Sequence, residues 1–530
     1  MTDASLAVVN ARIWTGDPAR PWAEALVVEG ERVAHVGSSA EVRKRVAAPA
    51  RVIDARGMLI TPGFIDAHVH FLQGGLALAS VQLRDADTPA EFSRRIAERA
   101  ASMPRGRWIT HGDWDHERWG GALPRRGWID AVTPDHPVWV NRHDSHMSLA
   151  NSAALRAAGV TRDTGDVAGG TIVRDVDGEP TGLFKDNARL LVDRAVPPPT
   201  DAEHDAALDA AMRHVAANGV TAVHHMGTWE DLAVFERAHA GRRLGTRIYA
   251  AVPLATWSRL RDRVAATGRG DAWLRIGALK GFVDGSLGSH TAAMLEPYTD
   301  APHDRGLFVT SPADLGAWCS AADAAGLHLI VHAIGDHAIR VQLDVYERIA
   351  GEHGPGDRRF RIEHAQHAAP SDQPRFALLN VVASMQPYHA IDDGRWAERV
   401  IGAERARYTY PIRSLLDAGA RIAFGSDWPV APATPLEGIY AAVTRRTLDG
   451  AHLGGWHPEQ RVTVEEALRA YTSVAAFAGF AEHETGTLTR GKLADFTMID
   501  RDITRAPPES LAEARVMMTV VGGRIVHEAI

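Results

Sequence analysis

Cysteine is almost absent from the 530-residue sequence, which contains only Cys319. A single thiol can form neither an intrachain disulfide nor a cysteine-based metal cluster, and such low usage is typical of a reducing compartment. We therefore expect a cytoplasmic protein in which histidine and carboxylate side chains hold any bound metal ion.

Long apolar runs and an excess of positive charge are also lacking. No stretch approaches the roughly 18 apolar residues of a transmembrane helix, and the N-terminus has no basic region followed by an apolar core. The formal net charge of −8 gives no reason to expect nucleic acid or an anionic membrane as a partner. The expected partner is a small-molecule substrate, and the sequence leaves open whether the chain forms a homo-oligomer.

The two ends of the chain have strand-like patterns without helical periodicity. Short apolar runs alternate with turns between residues 5 and 60, and Gly30 stands where a tight turn requires a positive φ. Two further strands are expected around Gly522 and Gly523 near the C-terminus. We predict a small β-sandwich domain composed of residues 1–60 and 485–530.

Strands alternate with helical stretches in between, which favours parallel βα units and an α/β fold. Eight candidate strands occur, enough for a (β/α)8 TIM-like barrel over residues 61–484. They are FIDAHVHF, VTAVHHMG, TRIYAAVP, LRIGALKGFVDG, HLIVHAIGD, RFRIEHAQ, VVASMQPYH and RIAFGSDWP.

The connection after the first candidate strand is much longer than a crossover requires. Residues 105–190 contain strand-like pieces of their own, so we predict an insertion there. Loops at this end of a barrel surround the active site, and the insertion is therefore expected to cover the substrate.

The first candidate barrel strand ends in His68 and His70, separated by one residue. Side chains two residues apart on a strand point to the same face, so the two imidazoles can bind one metal ion together. An isolated H-x-H pattern fits a pair of hydrogen-bonded core histidines equally well.

Four more polar residues follow apolar runs at the ends of later strands: Lys280, His332, His364 and Asp427. Each has an ordinary structural explanation, as a core histidine, a lysine paired with Asp284 or a turn cap. Their joint occurrence at matching strand ends, where barrel enzymes carry catalytic residues, favours a metal site.

These residues lie in motifs that resemble the amidohydrolase superfamily over nearly the whole chain. The motifs are TPGFIDAHVH, the strand-end lysine, the two later histidines, GSDWP and GTLTRGKLADFTMID. The segments RHDSHMSLANSAAL and KGFVDGSLGSHTAAMLEPY are similar to its YtcJ-like branch, which includes N-substituted formamide deformylase.

The resemblance implies a divalent metal site. His68 and His70 would bind one ion with Asp427, His332 and His364 would bind a second, and a carboxylated Lys280 would bridge them. An unmodified ammonium has no lone pair for a cation, whereas a carbamate supplies two oxygens. One ion with an unmodified Lys280 remains an alternative, and zinc is expected, although Mn, Fe, Co or Ni would suit the same ligands.

The resemblance also implies hydrolysis of a C–N bond in an amide or an N-acyl or N-formyl amine. Metal-activated hydroxide would attack, with Asp427 as the general base and then the general acid. Hydrolysis of esters, lactones, cyclic amides or amidines, and a non-catalytic binding or regulatory role, remain the alternatives.

Several other side chains are candidates for contact with the substrate, although structural roles remain open for each. Asp144 and His146 lie in the HDSH stretch of the insertion. Trp114, His116 and Trp428 are candidates to line an aromatic pocket. His290 lies in the loop after Lys280 and is a further candidate for the pocket. At most one of His224 and His225 is expected to face the barrel interior.

Overall fold

The computed structural model describes residues 4–46 and 50–529, so residues 1–3, 47–49 and 530 of the predicted sandwich domain lie outside the described residues. Twenty-three strands occur in the described part. They are β1 Ala4–Val9, β2 Arg12–Trp14, β3 Trp22–Ala23, β4 Ala25–Glu29, β5 Arg32–Gly37, β6 Arg51–Asp54, β7 Leu59–Pro62, β8 Phe64–Val69, β9 Ile109–Thr110, β10 Val138–Asn141, β11 Met147–Ala150, β12 Gly170–Arg174, β13 Pro180–Asp186, β14 Val220–Met226, β15 Arg247–Pro253, β16 Leu274–Phe282, β17 His328–Ala333, β18 Arg361–His364, β19 Val382–Met385, β20 Arg421–Phe424, β21 Phe496–Ile499, β22 Val516–Val521 and β23 Arg524–Glu528.

Eighteen α-helices occur in the same residues. They are α1 Ser39–Arg45, α2 Phe71–Ala77, α3 Pro89–Ala101, α4 Ser152–Ala158, α5 Leu190–Asp193, α6 Asp201–Ala217, α7 Trp229–Ala240, α8 Trp257–Thr267, α9 Pro312–Ala324, α10 Asp336–His353, α11 Gln373–Leu378, α12 Pro387–Asp393, α13 Ala397–Ile401, α14 Ala403–Ala406, α15 Ile412–Asp417, α16 Pro435–Thr444, α17 Val464–Ala470 and α18 Ser473–Ala478.

Eight parallel strands form the central barrel in the order β20-β19-β18-β17-β16-β15-β14-β8. The first and last strands meet where Asp427 N donates to His68 O at 2.7 Å and His70 N donates to Trp428 O at 2.8 Å. Each of the eight candidate segments contributes one strand, so the predicted TIM-like barrel is confirmed. Three of the four residues in these hydrogen bonds, His68, His70 and Asp427, were predicted to bind metal.

Side-chain caps set the beginnings of several helices. Thr463 and Glu466 form a reciprocal capping box at α17. At α3, Thr88 accepts a hydrogen bond from Glu91 N, but the Glu91 carboxylate binds Arg94 and Arg95 instead of completing the box. The Thr88-x-x-Glu91 spacing therefore gives only half of a capping box, because two nearby guanidinium groups compete for that carboxylate.

Two further sheets are built from both ends of the chain. One has the order β5-β4-β1-β6, and the other has the order β23-β22-β21-β7-β2-β3. Apolar side chains from both sheets form one shared core, as expected of a β-sandwich. Gly30 occupies the turn between β4 and β5 with a φ of 56°. Only Gly63 separates sandwich strand β7 from barrel strand β8, which connects the two units directly.

The long connection after β8 contains a five-stranded sheet with the order β12-β13-β11-β10-β9. Its strands lie between Ile109 and Asp186, within the predicted insertion. Strand β11 pairs antiparallel with both β10 and β13, and the sheet packs on an apolar core of its own. The residues that join β10 to β11 and follow β13 reach the mouth of the barrel.

None of the helices in the described residues is long and apolar enough to cross a membrane.

Candidate metal centre

His68 is fully buried near the end of β8, with one ring nitrogen engaged by a carboxylate. Its Nδ1 lies 2.5 Å from Oε2 of Glu363, which Arg361 also binds with its Nε 2.8 Å from Oε1. Nδ1–H donates a hydrogen bond to this carboxylate, and this leaves the lone pair of Nε2 available as a ligand.

Asp427 follows strand β20 and has a positive φ of 62°. Its Oδ1 lies 3.3 Å from Nε2 of His68 and 3.3 Å from Nε2 of His70. Within the described part of the chain, His68 Nε2 and Asp427 Oδ1 are buried without a hydrogen-bond partner. Two buried acceptor atoms that face each other without a hydrogen-bond partner are suited to share a cation.

His364 and His332 extend the cluster from the neighbouring strands. The ring of His364 lies 4.8 Å from that of His68 and 4.6 Å from that of His332, measured between centroids. Gln386 Oε1 is 2.8 Å from Nδ1 of His364, and Gly285 O is 3.0 Å from Nε2 of His332. One nitrogen of each ring is thus held, which fixes the orientation of the other.

The donor set fits a divalent cation. One ligand atom from each of His68, His364 and Asp427 lies within 4.8 Å of the other two. Burial lowers the pKa of His332 and His364 well below the usual value, so both rings are neutral and keep their lone pairs. Burial alone would raise the pKa of Asp427, but His68 and His70 hold it well below its usual value. Neutral imidazoles and a carboxylate are the ligands that zinc and related ions prefer.

Lys280 lies at the same end of the barrel, in strand β16. Its side chain is buried, with Nζ 4.8 Å from the centroid of the Phe282 ring. Burial lowers the pKa of Lys280 to about 8, although Glu363 and Asp427 act to raise it. The amine therefore loses its proton more readily than an exposed lysine.

Asp66 shares the strand parity of the two histidines but has a structural role. Its carboxylate accepts hydrogen bonds from His68 N and from the backbone and hydroxyl of Ser426. Burial raises the pKa of Asp66 to about 6. These contacts hold β8 against the segment that carries Asp427.

A cavity of about 340 Å³ opens onto the cluster. Residues from the barrel and from the insertion share its walls. Among the predicted site residues, those that line it are His70, Lys280, His332, His364, Asp427, Asp144 and His146. The insertion therefore forms part of the wall around the metal ligands, where a substrate would enter.

Asp144 and His146 are held by other charged groups of the insertion. Arg142 lies 2.6 Å from Asp144 Oδ2, and the Ser286 hydroxyl donates to the same oxygen at 2.5 Å. His146 Nδ1 is 2.6 Å from Asp186 Oδ1, and its ring lies 5.1 Å from that of His332. Both side chains are thus positioned at the wall that faces the cluster.

The other three substrate-binding candidates do not line this cavity. Trp114 is buried in the core of the insertion and donates from Nε1 to Val140 O at 2.9 Å. Trp428 stacks on His214 beneath the barrel mouth, with ring centroids 4.9 Å apart. His290 lies 3.0 Å from Asp300 in the loop after β16. Packing and ion pairing account for these positions.

The paired histidines of β14 diverge, as adjacent strand residues must. His224 Nδ1 is 2.8 Å from Arg361 Nη1, inside the barrel. His225 Nδ1 accepts the backbone N–H of Phe71 at 3.0 Å. Asp284 supports the loop after β16, because its carboxylate accepts backbone N–H groups from three residues: Ala293, Ile334 and Gly335.

Sequence reasoning missed the groups that orient the candidate metal ligands. Glu363 precedes His364 directly and was available in RFRIEHAQ, where an acid in an apolar strand beside a candidate ligand is the signal. Gln386 and the carbonyl of Gly285 follow other strands, and no local pattern marks either one.

The comparisons with known proteins agree with this geometry. Residues 51–527 match the amidohydrolase family. The chain is 40% identical over 534 residues to the protein LONG AFTER FAR-RED 3 of Arabidopsis thaliana, covering 98% of this chain and 91% of that protein. It is 31% identical to the putative amidohydrolase YtcJ of Bacillus subtilis, covering 95% and 96% of the two chains. It is also 31% identical to N-substituted formamide deformylase of Arthrobacter pascens, covering 99% and 98%.

A solved structure shows the same fold. An uncharacterized metal-dependent hydrolase from Pyrococcus furiosus superposes with a TM-score of 0.73 at 30% sequence identity, covering 94% of this chain and 100% of that chain. The family match over most of the chain, the parallel barrel and the buried histidine–carboxylate cluster lead to one conclusion: this chain is a hydrolase of the amidohydrolase family.

Proposed function

We propose that the protein hydrolyses the C–N bond of an amide or an N-acyl or N-formyl amine, with at least one divalent metal ion held by the cluster. The main support for this proposal is the pair of buried, unpartnered atoms, His68 Nε2 and Asp427 Oδ1, beside a cavity that the insertion helps to enclose. The similarity to N-substituted formamide deformylase favours an amide over an ester.

The residues present fit a metal, with His68, His70, His332, His364 and Asp427 as ligands. A divalent ion in this position would lower the pKa of a water molecule toward neutrality and polarise the substrate carbonyl. Zinc is the proposed metal, because it prefers imidazole and carboxylate donors.

Asp427 is the proposed proton carrier. Its pKa lies well below the usual value, so its carboxylate is ionised at neutral pH and can accept the proton of the attacking water. The water oxygen bonds to the carbonyl carbon, the C–N bond breaks, and Asp427 returns the proton to the departing nitrogen.

We further propose that Lys280 reacts with carbon dioxide to form a carbamate. A protonated amine offers a cation no lone pair, so an unmodified Lys280 would repel the metal. Its lowered pKa makes the neutral amine that this reaction requires more accessible. Protein prepared with ¹³C-bicarbonate should give a carbamate carbon signal in NMR, and that signal should be absent from Lys280→Ala.

Asp144 and His146 are the proposed contacts for the polar part of the substrate. Their carboxylate and imidazole are fixed by Arg142, Ser286 and Asp186, so they need little reorganisation on binding. Asp144→Asn should raise KM more than it lowers kcat, since Asp144 belongs to the binding wall.

A substrate panel tests the proposal. Zinc-reconstituted protein is assayed on matched amides, N-formyl amines, esters, lactones, cyclic amides and amidines. Turnover of the simple amides or N-formyl amines, lost in Asp427→Asn, is the expected result. Turnover confined to esters, lactones, cyclic amides or amidines, or no turnover by protein that holds its metal, would overturn it.

A further inference from the structure

A second cavity lies on the other side of the metal ligands. It has a volume of about 350 Å³ and shares four wall residues with the first: His70, Gln73, Lys280 and Phe282. We call it the second chamber. Two of the shared residues belong to the proposed metal site, so a molecule bound there can extend into both cavities.

The wall that belongs to the second chamber alone is rich in apolar side chains. They come from the ends of β14 and β15, the turn after β15, and helix α9. These apolar residues are Met226, Pro253, Leu254, Ala255 and Trp318.

Three polar side chains in this wall, His225, Thr228 and Asp231, already have hydrogen-bond partners in the protein. His225 accepts Phe71 N–H with Nδ1, and its Nε2 lies 3.2 Å from Asp231 Oδ2. The same carboxylate accepts the backbone N–H of Thr228 at 2.9 Å in the cap of α7. These groups therefore offer a ligand few free hydrogen-bonding positions.

Phe282 forms the partition between the two cavities. Its ring centroid lies 5.2 Å from that of His332 and 4.8 Å from Lys280 Nζ. On the far side, the first cavity is lined by charged groups, including Arg142, Asp144 and Asp186. The first cavity thus carries more charged groups than the second chamber.

We infer that the second chamber binds an aliphatic or aromatic substituent of the substrate while the amide lies at the metal ligands. The inference rests on the proposed function and adds the substrate class, an amide with a bulky apolar group. A volume near 350 Å³ lies within the 300–1,000 Å³ range of small-molecule pockets and accommodates a ring of six carbons.

The test compares N-methylacetamide with N-(cyclohexylmethyl)acetamide, and a second pair in which the same ring is attached to the acyl carbon. Burial of the ring should raise kcat/KM by roughly tenfold to a hundredfold in at least one pair. The variant Ala255→Trp, which adds bulk at the chamber, should bring the ratio of kcat/KM for the cyclohexyl substrate to kcat/KM for the methyl substrate to within about threefold of one. Trp318→Ala should lower the same ratio by removing an apolar wall.

Ala265→Trp is the matched control, because Ala265 is also exposed, lies in α8 and does not line the chamber. It should keep the wild-type ratio. A wild-type ratio near one in both pairs, or a ratio that Ala255→Trp leaves unchanged, would overturn the inference.

A binding measurement separates the two proposals. Metal-free protein is titrated with N-(cyclohexylmethyl)acetamide by calorimetry, where Ala255→Trp should weaken binding about tenfold and Ala265→Trp should not. If wild type hydrolyses no amide but this pattern of binding appears, the proposed function fails and the chamber stands. If wild type hydrolyses amides but the amide binds wild type and Ala255→Trp equally, the proposed function stands and the inference about the second chamber fails.

Discussion

Strand β17 begins with one histidine and nearly ends with another, and the two side chains differ in how their nitrogens are used. His328, at the N-terminal end, has Nδ1 3.0 Å from the Tyr249 hydroxyl and Nε2 2.8 Å from Arg359 O. His332, four residues later, uses Nε2 for Gly285 O and lines the cavity beside His364. Both ring nitrogens of His328 are thus hydrogen-bonded within the protein, whereas only one ring nitrogen of His332 is.

The same distinction applies to a second histidine of the barrel, His68. His68 resembles His332, because Glu363 occupies one nitrogen and the other has no partner within the described residues. Burial lowers the pKa of His328 to about 3, so its neutral state alone does not distinguish it from the ligands. His68 and His332 differ from His328 because each keeps one ring nitrogen without a hydrogen bond in the described residues and lies within the histidine–carboxylate cluster.

Asp427→Asn should have the largest effect on turnover. The amide keeps a ligand oxygen and the shape of the side chain but is a far weaker proton acceptor, so kcat should fall by about 10²- to 10⁴-fold. The measurement is kcat together with metal content by elemental analysis. Wild-type kcat in this variant would remove Asp427 from the proton transfer.

Glu363→Gln should weaken metal binding without removing a ligand. Loss of the carboxylate next to His68 Nδ1 should reduce metal affinity by about 10- to 100-fold, as is usual for partners of this kind. A competition assay against a chelator measures the change. Asp231→Asn is the control, because Asp231 binds His225 and not a metal ligand, and equal losses in both variants would contradict the account.

His328→Ala should destabilise the protein and leave its metal in place. The substitution strands the Tyr249 hydroxyl and the Arg359 carbonyl, and each lost hydrogen bond of a buried group costs about 1–3 kcal/mol. Urea unfolding measures the free energy, and elemental analysis measures the metal. Loss of metal from the folded variant would show that the two histidines do not differ as described.

Trp114→Phe should have the smallest effect. It removes the hydrogen bond from Nε1 to Val140 O, which is worth about 1 kcal/mol of unfolding free energy, and keeps most of the buried ring. Steady-state kinetics on an amide should not change. A marked increase in KM would return Trp114 to the substrate-binding residues.

The barrel was predictable because each strand has a local pattern, an apolar run that ends in a polar residue, such as LITPGFIDAHVH. The positions of the proposed metal ligands follow from the same pattern. The supporting groups do not, because Glu363 reaches His68 across the barrel and Gln386 reaches His364 from the next strand. The burial of Trp114 was not predictable either, since nothing in the neighbouring sequence distinguishes a tryptophan that packs in the core from one that lines a pocket.

The most direct test of the central claim is metal content per folded chain in wild type, His364→Ala and His328→Ala, prepared without chelator. We expect at least one ion in wild type, a loss in His364→Ala and retention in His328→Ala, with folding checked by circular dichroism. Equal metal content in wild type and His364→Ala would contradict the central claim, because the free nitrogens at this end of the barrel would then not be the ligands.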